Sequence, residues 1–131
     1  MLQKITPDGI MKPFNNAYSH GVVIPPDAHV LHISGQIGAR SNGVVPEDAE
    51  EQAENVWQNV MTILGAADMT ALNLVKITAY IVDETVFPFY AAARQRILDG
   101  LEPPASTAIF VPRLVLPEWK LEVEVIAASR N

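Results

Sequence analysis

The chain has 131 residues, of which 49% are hydrophobic and 18% charged, a balance that excludes intrinsic disorder and fits one domain spanning 1–131. It holds no cysteine, so disulfides, thiolate metal ligands and cysteine nucleophiles are excluded. The net charge is −6 and the 9 basic residues are scattered, only Arg94 and Arg96 lying close together, so no phosphate-tracking surface and no nucleic-acid partner are expected.

No apolar run reaches the roughly 18 residues of a membrane span. The stretch Met1-Leu-Gln-Lys-Ile-Thr-Pro-Asp lacks the apolar core of a signal peptide. The expectation is a soluble, cytoplasmic protein without a membrane partner.

The elements follow in chain order. A short strand is possible near Leu2 to Ile5. Ala17 to Val23 and Val30 to Ile37 read as strands joined by a turn at Pro25-Pro26-Asp27. Ser41-Asn42-Gly43 is a loop, and Pro46-Glu47-Asp48 opens a helix. Ala49, Ala53, Val56, Trp57, Val60, Met61 and Leu64 share one helical face, Glu50, Glu51, Glu54 and Asn55 the other. Gly65 is the expected terminator.

Leu74 to Val82 alternates as a strand, with Val75, Ile77, Ala79 and Ile81 on one face. Asp83 or Thr85 is placed to cap a second helix running to about Leu98, with Val86, Phe89, Tyr90, Ala93 and Ile97 inward. Thr107 to Val111 and Trp119 to Ala127 are the last strands, and the latter sets Leu121, Val123 and Val125 against Lys120, Glu122 and Glu124. The order β-β-α-β-α-β-β predicts an α+β sandwich with two helices on one face of a mixed sheet. The other face, carrying His32, Ser34, Tyr80, Val82 and Glu122, is a candidate subunit interface.

Five segments in this order carry a family resemblance. They are Ser34-Gly35-Gln36-Ile37-Gly38, Gln52-Ala-Glu-Asn-Val-Trp-Gln-Asn-Val, Leu74-Val-Lys-Ile-Thr-Ala-Tyr-Ile-Val-Asp, Pro104-Ala105-Ser106-Thr107 and Lys120-Leu-Glu-Val-Glu-Val-Ile-Ala. The chain resembles the RidA/YjgF family of small imine deaminases from about Tyr18 to Ala127. The resemblance implies a chorismate-mutase-like fold and a homotrimeric barrel with a small-molecule ligand in clefts between subunits. It also implies hydrolysis of reactive enamines and imines to 2-keto acids and ammonia, with no metal and no cofactor.

Carried over by position, the family's tyrosine matches Tyr18, its S-G-Q serine matches Ser34 and its terminal-strand glutamate matches Glu122. The family's key arginine position is Ser106, and its frequent cysteine and asparagine correspond to Ala108 and Ala91. The connection from Pro104 to Glu122 is one residue longer than usual and contains Arg113, a candidate replacement cation. A guanidinium grips a carboxylate through paired charge-assisted hydrogen bonds, each contributing about 1.5–3 kcal/mol, which serine cannot reproduce. The chain therefore resembles the arginine-lacking branch of the family.

Glu122 could hold or activate the attacking water, or be a plain solvent-facing carboxylate. Ser106, Thr107 and Ser34 could bind the polar end of a ligand, and Tyr18 could close a cleft; each could also be an ordinary strand residue. His20, His29 and His32 fit no recognised metal or triad spacing. Two readings stay open: a hydrolase or deaminase of small imine- or enamine-type metabolites, and a non-catalytic trimer that binds a metabolite or docks a partner.

Overall fold

Asp48 opens the first helix by accepting a hydrogen bond from the Glu51 amide at 3.2 Å, which satisfies one of the donors a helix start leaves free. Helix α1 is Ala49–Ala66 in this computed structural model, which describes residues 1–130. Ala53, Val56, Trp57, Val60 and Leu64 are buried, as their spacing predicts. The helix runs through Gly65 instead of ending there. Asp68, with φ 57°, takes the left-handed position just beyond it.

Among the described residues the strands are β1 (Gln3–Ile5), β2 (Gly21–Val23), β3 (His29–Ile37), β4 (Leu74–Ile81), β5 (Ala105–Phe110) and β6 (Leu121–Ser129), with α2 (Phe87–Leu98) between β4 and β5. The main sheet has the order β3-β6-β4-β5. Strands β4 and β5 are parallel and the other pairings antiparallel, so the sheet is mixed. Ile33, Ile77, Ala79, Ile81, Leu121, Val123 and Val125 form one buried cluster with the apolar faces of both helices. This is the α+β arrangement the sequence predicts. Lys76, Thr78, Tyr80, Glu122 and Glu124 lie on the face away from that cluster.

Several local expectations change. Strand β2 pairs with β1, not with β3. The turn between them forms, with the Ala28 amide donating to the Pro25 carbonyl, but two adjacent prolines remove the donors a hairpin ladder would need there. Residues 17–20 are not a strand. Ser19 instead donates from its amide to the Pro104 carbonyl at 3.0 Å and from its hydroxyl to the Pro103 carbonyl at 2.6 Å. Neither Asp83 nor Thr85 caps α2. Asp83 closes a turn with the Thr85 amide and hydroxyl, and the helix starts after Val86. Phe89 is 37% exposed, because the inward face of α2 is carried by Val86, Tyr90 and Ala93. Asn55 belongs to neither solvent nor core: its amide donates to the Gly38 carbonyl at 3.1 Å.

That bond is part of a polar clamp. Gln52, Asn55 and Asn59 share a helical face by their three- and four-residue spacing. Fully buried Gln52 donates to the Pro46 and Glu118 carbonyls and accepts from the Lys120 amide at 2.8, 3.0 and 3.0 Å. Asn59 donates to the Ile37 and Ala39 carbonyls. Gly38 lets the helix come this near: a Cβ there would sit 2.6 Å from the Gln52 Cα. The clamp thus fixes the exit of β3 and the entry of β6.

Candidate functional site

The β3–β6 ladder slips between Ile33 and Gln36, so Ser34 and Gly35 form an irregularity in β3. Glu122, paired with Ile37 on β3 and Tyr80 on β4, reaches back over this irregularity. A Cβ on Gly35 would lie 2.0 Å from Glu122 Oε2, so the glycine is what gives the carboxylate its place. Glu122 is half-buried. It lines an open depression of about 440 Å³ with Tyr80, Arg113, Leu114 and Val115. The Arg113 guanidinium is held by its own loop, donating to the Leu114 and Val115 carbonyls at 3.1 Å each.

A second cavity, of about 280 Å³, lies between α2, β5 and the segment near Tyr18. Its walls include Ala17, Tyr18, Phe87, Ala91, Arg94, Ser106 and Ala108. The Ser19 bonds to Pro103 and Pro104 explain the meeting of distant segments: they anchor Tyr18 beside the start of β5. Phe14 and Asn15 form the remaining wall, on a short 3-10 turn in which Asn15 has φ 56° and Asn16 φ 52°. Asparagine tolerates this left-handed region better than other non-glycine residues.

Beneath the cavity lies Tyr90, fully buried, stacked on Trp57 with ring centroids 6.1 Å apart. Arg94 also lies over this ring, with the guanidinium carbon 5.2 Å from the ring centroid. The Tyr90 hydroxyl faces Arg94 and Ser106 without a full-geometry hydrogen bond to either. Burial pushes its pKa up, and the Arg94 charge and the weak approaches of Arg94 and Ser106 pull partly against that.

A third depression, of about 330 Å³ on the open sheet face, holds Ser34 with His32, Lys76, Thr78 and Glu124. Thr107 belongs to this side, its hydroxyl 2.7 Å from the Lys76 ammonium that donates to it. Tyr80 donates to Glu124 at 2.8 Å, and this bond raises the phenol's pKa, aided by the charges of Glu124 and Glu122.

The expected site residues therefore fall into three places on one chain. Tyr18 and Ser106 share the α2–β5 cavity, Glu122 and Arg113 share the open depression, and Ser34 and Thr107 lie on the sheet face. Arg113 is not in the cavity that holds Ser106; Arg94 is. Arg94 lines the cavity without belonging to any of the family segments, although Phe87, Ala91 and Arg94 stand at the four-then-three spacing of a single helical face. Among the described residues, no three His, Asp or Glu side chains converge as a metal centre requires. No helix among them is long and apolar enough to cross a membrane.

Comparison with known proteins places this geometry. Residues 11–129 match the family model described as Endoribonuclease L-PSP. A RutC family protein of Haemophilus influenzae is 34% identical over 101 residues, covering 74% of this chain and 77% of the relative. Escherichia coli TdcF, provisionally named a reactive intermediate deaminase, is 31% identical over 100 residues, covering 75% of this chain and 78% of the relative. The crystal structure of YyfB from Yersinia pestis, a Rid family protein of unknown function, superposes with a TM-score of 0.87 at 26% identity, covering 98% of both chains. From the serine–glycine irregularity of β3 to the glutamate of β6, this chain belongs to the RidA/YjgF family.

Proposed function

We propose that the protein is a homotrimeric, chorismate-mutase-like barrel that hydrolyses small imine- or enamine-type metabolites in clefts between subunits. The observation that carries this reading is the Glu122 carboxylate seated over Gly35 at the mouth of an open depression. The separation of the candidate residues supports assembly: a cleft holding both Ser106 and Glu122 needs the cavity of one subunit against the sheet face of the next. Edge strand β5, with Ile109 46% and Phe110 57% exposed, supports the same conclusion, since apolar edges of this kind are normally covered. The relative TdcF, whose structure contains bound serine, supports a small-metabolite ligand.

In the reaction, Glu122 accepts a proton from water as the oxygen bonds to the imine carbon. Glu122 returns that proton to nitrogen, giving a carbinolamine; it then takes the hydroxyl proton and passes it to the amine as the C–N bond breaks, so that ammonia leaves and a carbonyl group remains. An enamine first takes a proton from solvent on carbon and gives one up from nitrogen, becoming the imine. Ser106, Ser34, Thr107 and Tyr18 bind the polar end of the substrate. The sequence needs water and a carboxylate, with no metal or cofactor, and the working place is the cytoplasm.

Glu122→Gln keeps the side chain's shape but lacks a basic carboxylate, and the expected loss of ammonia release from freshly generated imines is about 10²- to 10⁴-fold. Sedimentation of both forms as three chains accompanies that loss. Unchanged turnover in the variant would remove Glu122 from the chemistry. A second reading, a non-catalytic trimer binding a metabolite or docking a partner, draws on Ser106 standing where the family carries arginine. It predicts saturable binding with no product formed beyond one per site.

A further inference from the structure

We propose that the solvent-side groove between α1 and α2 is a binding site for a free amino acid with an apolar side chain. The groove has a volume of about 370 Å³. It shares no wall residue with the three places that hold the expected site residues. Helix α1 supplies Glu54, Trp57 and Met61, at three- and four-residue spacing, and α2 supplies Ala93, Arg96 and Ile97. Trp57 and Ala93 are buried, and Met61 and Ile97 are half-buried. Glu54 and Arg96 form an ion pair that joins the two helices, with side chains 44% and 58% exposed. The groove is therefore apolar within and carries one anion and one cation at its rim.

Two observations point to a ligand. The Trp57 indole N–H is buried without a hydrogen bond, in a side chain that forms part of the groove wall. A buried donor left unpaired carries a desolvation cost that an incoming acceptor removes. The ion pair, in turn, is of the exposed kind that contributes little to stability, so its two long side chains can part at small cost. Once parted, they define the ligand by charge. A lone carboxylate would satisfy Arg96 and strip Glu54 of its partner; a lone amine would do the reverse. A zwitterion replaces both halves of the pair together, and a free amino acid carries its ammonium and carboxylate on one carbon, close enough to stand between them. Its carboxylate is also the acceptor that the indole N–H lacks. Met61 and Ile97 leave the side chain an apolar surface. A few charged groups over an apolar space of this volume is the pattern of a small-ligand site.

The site stands apart from the hydrolytic reading, and its test is binding alone. Phenylalanine, glycine, phenethylamine and 3-phenylpropionate are titrated against the intact protein by calorimetry. Phenylalanine binds. Phenethylamine and 3-phenylpropionate, with one charge each, and glycine, with no apolar body, bind at least about tenfold more weakly. Glu54→Gln and Arg96→Gln each weaken phenylalanine binding by about tenfold or more, while Arg40→Gln, which breaks the separate pair with Glu51, leaves it unchanged. Breaking an exposed pair leaves both rim variants folded, and either one suffices for the test. Phenylalanine that does not bind, that binds no better than its single-charge analogues, or that binds equally in wild type and both rim variants overturns the proposal. Binding that survives in the rim variants but is lost in Ser106→Ala would put the amino acid in the α2–β5 cavity and overturns it as well.

Discussion

The amide side chains of helix α1 and the tyrosine and arginine of helix α2 treat polarity in opposite ways, although the buried Trp57 indole N–H of α1 is also without a partner. On α1, Gln52, Asn55 and Asn59 find backbone partners at the end of β3 and in the loops before α1 and before β6, and buried Gln52 uses its donor and acceptor ends together. On α2, the Tyr90 hydroxyl is buried without a full partner and Arg94 has no carboxylate among the described residues. Satisfied buried groups make a scaffold, whereas unsatisfied ones beside a cavity mark where something else is to bind. The contrast separates the scaffold that fixes the strands around Glu122 from the cavity wall on α2.

The largest expected effect that would break this contrast comes from Gln52→Leu. It leaves two carbonyls and one amide unpaired in a buried place, at a cost of about 3–5 kcal/mol in denaturant unfolding. Tyr90→Phe keeps the stacked ring and removes a hydroxyl with no full partner, so its cost is below about 1 kcal/mol. Equal losses in the two variants would erase the distinction between the helices.

Alkaline pH sharpens it at smaller amplitude. Tyr80, through its bond to Glu124, and Tyr90, through burial, hold their protons more tightly folded than unfolded. Their contribution is intact below the ordinary tyrosine value of about 10 and is lost as pH rises through the raised folded values. Phenolate absorbance and unfolding followed together should show stability falling in that window. Tyr90→Phe removes the part due to burial; an unchanged alkaline decline would show that Tyr90 does not contribute to it.

Much of this was legible in the sequence, because periodicity reports directly on burial. The stripe from Ala53 to Leu64 and the alternation of Leu121, Val123 and Val125 both lie in the core. What periodicity does not encode is hydrogen bonding between distant segments. Asn55 reads as a solvent residue by its helical position, and only the nearness of Gly38 turns it inward. The same limit hid the cavity. Tyr18 and Ser106 are far apart in sequence and meet because Ser19 bonds to the Pro103 and Pro104 carbonyls. Arg94 is legible as well, since its helical spacing from Phe87 and Ala91 places it on one face with them.

The order β3-β6-β4-β5 puts the last strand inside the sheet, between two strands made much earlier. A chain emerging from the ribosome therefore carries β3 and β4 as open edges until residues 121–129 have been synthesised. The clamp waits as well, for Gln52 closes on positions 118 and 120. Folding of this protein is thus a late, nearly single event set by long-range pairing, and a nascent chain stopped before β6 is the form most exposed to aggregation and to chaperones.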